Sequence, residues 1–224
     1  MGPGEGAAAT GLPRARRLCA WALDFAVVVA VAVLLGTFTF HRISAEVTDV
    51  TSLAGTSAWE VITSKGDLAG AGRDVGESLW RDAVSAVQQA FAALVVFTFA
   101  YHFISLAVMA RTPGQALTGL CVVRRAGGGR PGKGRGAVRA GVITLIDVGW
   151  YALACCLLVE GAIVLSVVCW IVAVAFFALD AVLAPVGSRR SLADRLAGVT
   201  VTGAWRVRAA LARIGGRERG GLVG

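Results

Sequence analysis

Residues 90–110 read AFAALVVFTFAYHFISLAVMA, 21 residues without a charge. A helix needs about 20 mostly apolar residues to cross the hydrocarbon core of a bilayer, and this stretch supplies them. Working outward, Leu18–Phe40 is 23 residues with Asp24 as its one charge, and Gly141–Pro185 is 45 residues with Asp147, Glu160 and Asp180. The last stretch is too long for one span and suits two, turned at Glu160-Gly161. The sequence thus predicts four transmembrane helices, at 18–40, 90–110, 141–159 and 162–183. Composition agrees: the 224 residues are 56% hydrophobic and 16% charged, where a soluble domain has about 45–50% apolar and about 25% charged residues. An ordinary water-soluble enzyme is excluded by these values, and no enzymatic activity is expected. The expected class is an all-α membrane protein.

The charge says which way the chain threads. Of 22 Lys and Arg, 18 lie before the first span, between residues 111 and 140, or after Pro185. The other four (Arg42, Lys65, Arg73, Arg81) share the segment 41–89 with seven acids. Positive charge near span ends resists translocation. Both termini and the 111–140 loop are therefore expected in the cytoplasm of a multi-pass cell-membrane protein, with 41–89 outside. Basic flanks also attract anionic lipid head groups, so the bilayer, rather than nucleic acid, accounts for the net charge of +8. Residues 1–13 read as a disordered lead-in, and 203–224 as a basic cytoplasmic tail. The first apolar stretch carries Asp24 and is about twice too long for a signal peptide, so it is a retained helix.

No cofactor and no metal are expected. The two histidines, His41 and His102, are far apart, and no metal-ligand spacing exists. Gly127-Gly-Gly-Arg-Pro-Gly132-Lys133 begins like a phosphate-binding loop but continues with Gly134 where a hydroxyl is needed, so it reads as a flexible basic linker. The five cysteines read as packing residues.

A self-comparison finds a repeat. Arg111-Thr-Pro-Gly-Gln-Ala-Leu-Thr-Gly-Leu-Cys-Val-Val123 follows the second span, and Arg190-Ser-Leu-Ala-Asp-Arg-Leu-Ala-Gly-Val-Thr-Val-Thr202 follows the fourth. In each copy a Thr or Ser (Thr112, Ser191) caps a short helix, and a capping-box partner (Gln115, Asp194) stands three residues later. Pro113 suits the first helical position. Gly119 and Gly198 stop the helices, and a short β-like run follows each. The unit is two spans followed by a helix–Gly–strand, in tandem, and the two strands should be antiparallel if they meet.

These residues resemble the RDD family of small integral membrane proteins. Arg17-Leu-Cys-Ala-Trp-Ala-Leu-Asp24 is similar to the family's arginine and aspartate at the first span. Thr112-Pro113-Gly114 is similar to its Thr-Pro-Gly element, and Arg189-Arg-Ser-Leu-Ala-Asp194 to its late Arg-Arg-x-x-x-Asp segment. Gln115 and Ala193 stand where the family commonly has lysine and histidine. The resemblance covers 14–202 and implies a multi-pass bacterial membrane protein, with transport one proposed role.

An ionisable residue inside a span costs at least about 2.5–3.5 kcal/mol and is a functional candidate by default. At 1.5 Å per residue, Asp24 and Asp147 lie roughly 9 Å and His102 roughly 12 Å from the cytoplasmic boundary. Two readings stay open. Asp24, Arg17, Asp194 and Arg190 form a structural charge network, with Asp194 as the partner of Arg17 or as a cap for its own helix, and Arg16 or Arg139 as neutralisers. Alternatively, Asp24, His102 and Asp147 form an ion or proton site. The first reading makes the protein a non-enzymatic scaffold or accessory protein with a membrane-protein partner or a homodimeric state. The second makes it a small cation/proton exchanger.

Overall fold

The computed structural model describes residues 14–63, 68–124, 132–183 and 192–203. The expected N-terminal lead-in, the tail beyond 203, and Arg190 and Ser191 lie outside the described residues. Helix α1 runs Arg14–Thr63 and α2 Leu68–Met109; the short α3 (Pro113–Leu117) leads into strand β1 (Leu120–Arg124). Then come α4 (Lys133–Thr144), a π-helical turn Leu145–Gly149, α5 (Trp150–Val159) and α6 (Ile163–Leu183). A second short helix, α7 (Leu192–Leu196), leads into β2 (Val199–Gly203).

Three segments are long and apolar enough to cross a membrane: Ala15–Asp49, Gly76–Met109 and Lys133–Val159. A fourth apolar helix, Ile163–Leu179, is shorter. Apolar side chains dominate the outside, with Leu34, Phe38, Val164 and Ile171 largely exposed, while Thr98, His102, Ser105 and Ser166 are buried. That inversion is expected where the surrounding medium is hydrocarbon.

Helix limits depart from the expected spans in two places. Helix α1 does not stop at Phe40 but continues for 50 residues in all, about 75 Å at 1.5 Å per residue. No proline interrupts residues 41–63, so the backbone has no reason to break where the apolar stretch ends. The third span likewise begins early. Gly132 is the N-cap of α4, so Lys133–Ala140, expected within the 111–140 loop, is helix; of the expected linker 127–133, residues 127–131 lie outside the described residues. The turn at Glu160-Gly161 is as expected, with Gly161 at φ +84°.

The chain divides into two compact units. The first comprises Met1–Val27, Thr98–Ile146 and Ala175–Gly224. In it β1 and β2 pair antiparallel, Val122 opposite Val201 and Leu120 opposite Gly203. Two strands alone are marginal in water; here Leu120, Val122, Val199 and Val201 bury one face with Ala20 of α1 and Leu106 of α2. Alternation with period two places all four on that face.

Both short helices end the same way. Thr118 donates to Gly114 O (3.2 Å) as Ala197 does to Ala193 O (3.0 Å), and Gly119 and Gly198 each donate three residues back. The two glycines have φ +70° and +63°, a conformation that costs other residues roughly 1–2 kcal/mol.

The second unit comprises Val28–Phe97 and Asp147–Val174. Val28, Leu94, Val148 and Ala152 form its core, backed by Leu35 and Phe91. Arg42 donates to Gln89 (3.2 Å), Gln88 to Glu160 (2.6 Å), and Ser166 to Ala154 O (2.7 Å).

Candidate functional site

Buried Asp24, Thr112, Gln115, Arg139 and Asp194 of the first unit meet at the N-termini of α3 and α7. At α3, Thr112 is extended (φ −80°, ψ 161°) and completes a capping box: its Oγ1 accepts from Gln115 N, and Gln115 Oε1 accepts from Thr112 N at 3.2 Å. Pro113 at the next position has no N–H to satisfy. One donor of the first turn is left, the N–H of Gly114, and Asp24 of α1 takes it.

Asp24 Oδ1 accepts from Gly114 N at 2.9 Å and from Tyr101 Oη at 2.8 Å, while Oδ2 accepts from the Thr112 hydroxyl. The single hydroxyl proton of Thr112 goes to Asp24, and its lone pair receives Gln115 N–H. A residue with both a donor and an acceptor is therefore required at 112. The carboxylate also sits against the positive end of the helix. Asp24 and Thr112 are 7% and 1% exposed, so water cannot replace these partners.

Glycine at 114 follows from the same contact. A Cβ there would overlap the Ala20 carbonyl oxygen and lie 2.9 Å from Asp24 Cγ. Ala20 and Asp24 are one helical turn apart on α1, and Arg17 is on the same face one turn earlier. Arg17 Nη2 donates to the carbonyl of Val201 at 2.9 Å. One face of α1 thus holds the start of α3 and a strand of the sheet.

At α7, Asp194 is buried in the first turn, and its Oδ1 lies 2.8 Å from Nε of Arg139 on α4, also buried. The sequence offered Arg17 as the partner of Asp194 and Arg139 as a neutraliser of an intramembrane acid. In the structure Asp194 meets Arg139, and Arg17 meets the strand backbone. The packing of α4 against α7 makes the Arg139–Asp194 contact, and residues 55 apart in sequence do not reveal it.

His102 is buried beside Tyr101, their rings 5.1 Å apart and nearly perpendicular, and it lies within electrostatic reach of Arg139 and Asp24. Its Nδ1 has no hydrogen-bond partner among the described residues. Asp147 belongs to the second unit, in the π-helical turn. Of the three residues considered for an ion site, Asp24 and His102 are thus placed in one unit and Asp147 in the other. Among the described residues no group of three His, Cys, Asp or Glu could hold a metal ion. Tyr101 was missed by sequence reasoning. The signal available was a tyrosine deep in an apolar span, whose hydroxyl needs a partner when buried.

Neither the curated proteins nor the solved structures contain a match to the chain. The family model of the RDD family matches residues 13–198. That range contains the Arg17/Asp24 face, the Thr112-Pro113-Gly114 cap and Asp194. The chain belongs to the RDD family and is a membrane protein.

Proposed function

We propose that the protein is a four-span, multi-pass protein of the bacterial cell membrane, with both termini and the sheet on the cytoplasmic side, acting as a non-enzymatic scaffold or accessory protein. One observation carries this reading. The buried acids are spent on fixing short helices: Asp24 accepts three hydrogen bonds from protein donors and Asp194 pairs with Arg139. Such carboxylates hold a surface in place, and the surface they hold is the layer made by α3, α7 and the two strands. Exposed Arg16, Lys133 and Arg135 suit anionic lipid head groups or an acidic membrane-protein partner, a second copy included. The two helix–Gly–strand segments are read as tandem repeats, each following two spans.

Topology is tested with cysteine probes at Ser64 and Gly128 in a background lacking the native cysteines. In intact cells an impermeant reagent should label the first and spare the second; labelling of both removes the four-span reading. A second reading, cation/proton exchange at Asp24 and His102, draws on the unpartnered Nδ1 of His102. Purified protein in liposomes should show no Na⁺-driven pH change on the scaffold reading. A flux abolished by His102→Ala would replace that reading with exchange.

A further inference from the structure

Three buried polar atoms of the first unit have no hydrogen-bond partner among the described residues: His102 Nδ1, Arg139 Nη1 and Thr144 Oγ1. The three residues are 4%, 6% and 3% exposed. Such atoms are rare, since each costs about 1–3 kcal/mol when left unsatisfied, more for a charged group. Their placement is not scattered. A Cβ on Gly136 would lie 3.8 Å from Leu106 Cβ, and one on Gly141 would lie 3.9 Å from Phe99 Cε2. Helix α4 therefore runs antiparallel along α2, with 136 beside 106 and 141 beside 99. In that register His102 falls opposite 139–140, and Thr144 opposite Thr98.

The buried residues of α4 are Gly136, Arg139, Ala140 and Thr144, a stripe at helical spacing. Those of α2 in this region are Thr98, His102, Ser105 and Leu106. Two stripes face each other, and both are polar near their middle. Small residues at 136, 140 and 141 keep the facing wall of α4 low. Arg139 uses Nε on Asp194, which leaves Nη1 aimed elsewhere.

From this we infer that the α2–α4 seam binds a small hydrogen-bond acceptor, water or a halide ion, held by Arg139 Nη1 with His102 Nδ1, and that Thr144 Oγ1 extends the same polar seam. The shared chemistry is a compact acceptor for several donors. Water satisfies buried groups in this way routinely, and an arginine N–H with a hydroxyl serves a halide equally. The site uses the same His102 Nδ1 on which the exchange reading draws, and a guest there is compatible with either reading.

The test exploits a change of sign. Thr144→Val keeps the shape and removes the hydroxyl. If the seam is dry, the variant loses an unsatisfied group and its thermal midpoint rises or stays level. If the seam holds a guest, the midpoint falls by about 2–4 °C for each kcal/mol lost in a chain this size, and Thr144→Ser stays near the parent. Midpoints are measured on the purified full chain in detergent, in sodium chloride and in sodium gluconate. A fall of the same size in both salts identifies water. A parent midpoint that is higher in chloride, with the difference gone in Thr144→Val, identifies a halide. A rise or no change in both salts overturns the inference. Should Thr144→Val not fold, radiolytic hydroxyl labelling of the parent in gluconate, where no halide is present, decides: rapid oxidation at His102 supports bound water, and protection of His102 together with a parent midpoint equal in both salts contradicts any guest.

Discussion

The α3–β1 and α7–β2 segments share a backbone and oppose each other in charge. In the first, the acid stands on the long helix (Asp24 on α1), and the short helix offers donors, one of them its own backbone N–H. In the second, the acid stands on the short helix (Asp194 on α7) and the long helix α4 supplies the cation Arg139. Each short helix has five residues, too few to be stable alone. What the fold needs is a buried donor–acceptor lock at each start; which side contributes the charge is free. The two locks differ in what can replace them. An ion pair between side chains can be exchanged for two apolar residues, but the N–H of Gly114 cannot be mutated away.

The largest effect should follow from breaking the ion pair. Asp194→Ala or Arg139→Ala breaks the buried pair from one side and should cost about 3–5 kcal/mol, read by thermal unfolding in detergent. The pair Arg139→Met with Asp194→Leu should recover most of that loss. Asp24→Leu should have no such rescue by any substitution at 112, because the backbone donor of Gly114 stays buried. A rescue of Asp24→Leu would erase the proposed distinction.

Next is the cap. The sequence alone suggests equal losses for Thr112→Ala and Ser191→Ala, about 0.5–2 kcal/mol each. The structure gives Thr112 a second task, donation to a buried carboxylate, so its loss should reach about 2–4 kcal/mol. Ser191→Ala should remain within the cap range. Equal effects in the same unfolding assay would mean that the bond to Asp24 contributes little.

The glycine and the alanine at matched places come third. Gly114→Ala drives a Cβ into Ala20 and should cost about 1–3 kcal/mol, the range for overpacking. Ala193 already carries a Cβ at the corresponding position of α7, where it is buried. Ala193→Gly should lose about 0.5–1 kcal/mol, through chain entropy alone. Comparable losses would show that α3 and α7 sit equally close to their supports.

Smallest is Ala110, which ends α2 at φ +54°. Ala110→Gly removes left-handed strain and should raise stability by up to about 1 kcal/mol. A loss would show that the buried methyl group outweighs the strain.

Much of this was legible in the residues. Thr112, Gln115 and Pro113 spell a capping box because each role is local to four residues. Gly119 and Gly198 mark helix ends for the same reason, and the alternation of Leu120, Val122, Val199 and Val201 gives the strands a face. The limits of the long helices were not legible. Leaving the apolar stretch changes the solvent around a helix but does not break its hydrogen bonds, so α1 runs on past Phe40. Nor was the start of α4 at Lys133, inside a glycine-rich run. Partner choice was harder still. Asp24 meets Tyr101, Thr112 and Gly114 at separations of 77, 88 and 90 residues, and only the packed register of α1, α2 and α3 brings them together. The meeting of Arg139 with Asp194, 55 residues apart, was hidden for the same reason.

The central claim is that Asp24 is the anchor on which α3 is built. The most direct measurement is a double-mutant cycle of Asp24→Ala and Thr112→Ala, by unfolding of the full chain in detergent. The account predicts that each single change destabilises and that the double mutant is better than their sum, with a coupling energy of about 1–3 kcal/mol. Additivity within about 0.5 kcal/mol would contradict it, leaving Thr112 a cap for its own helix and nothing more.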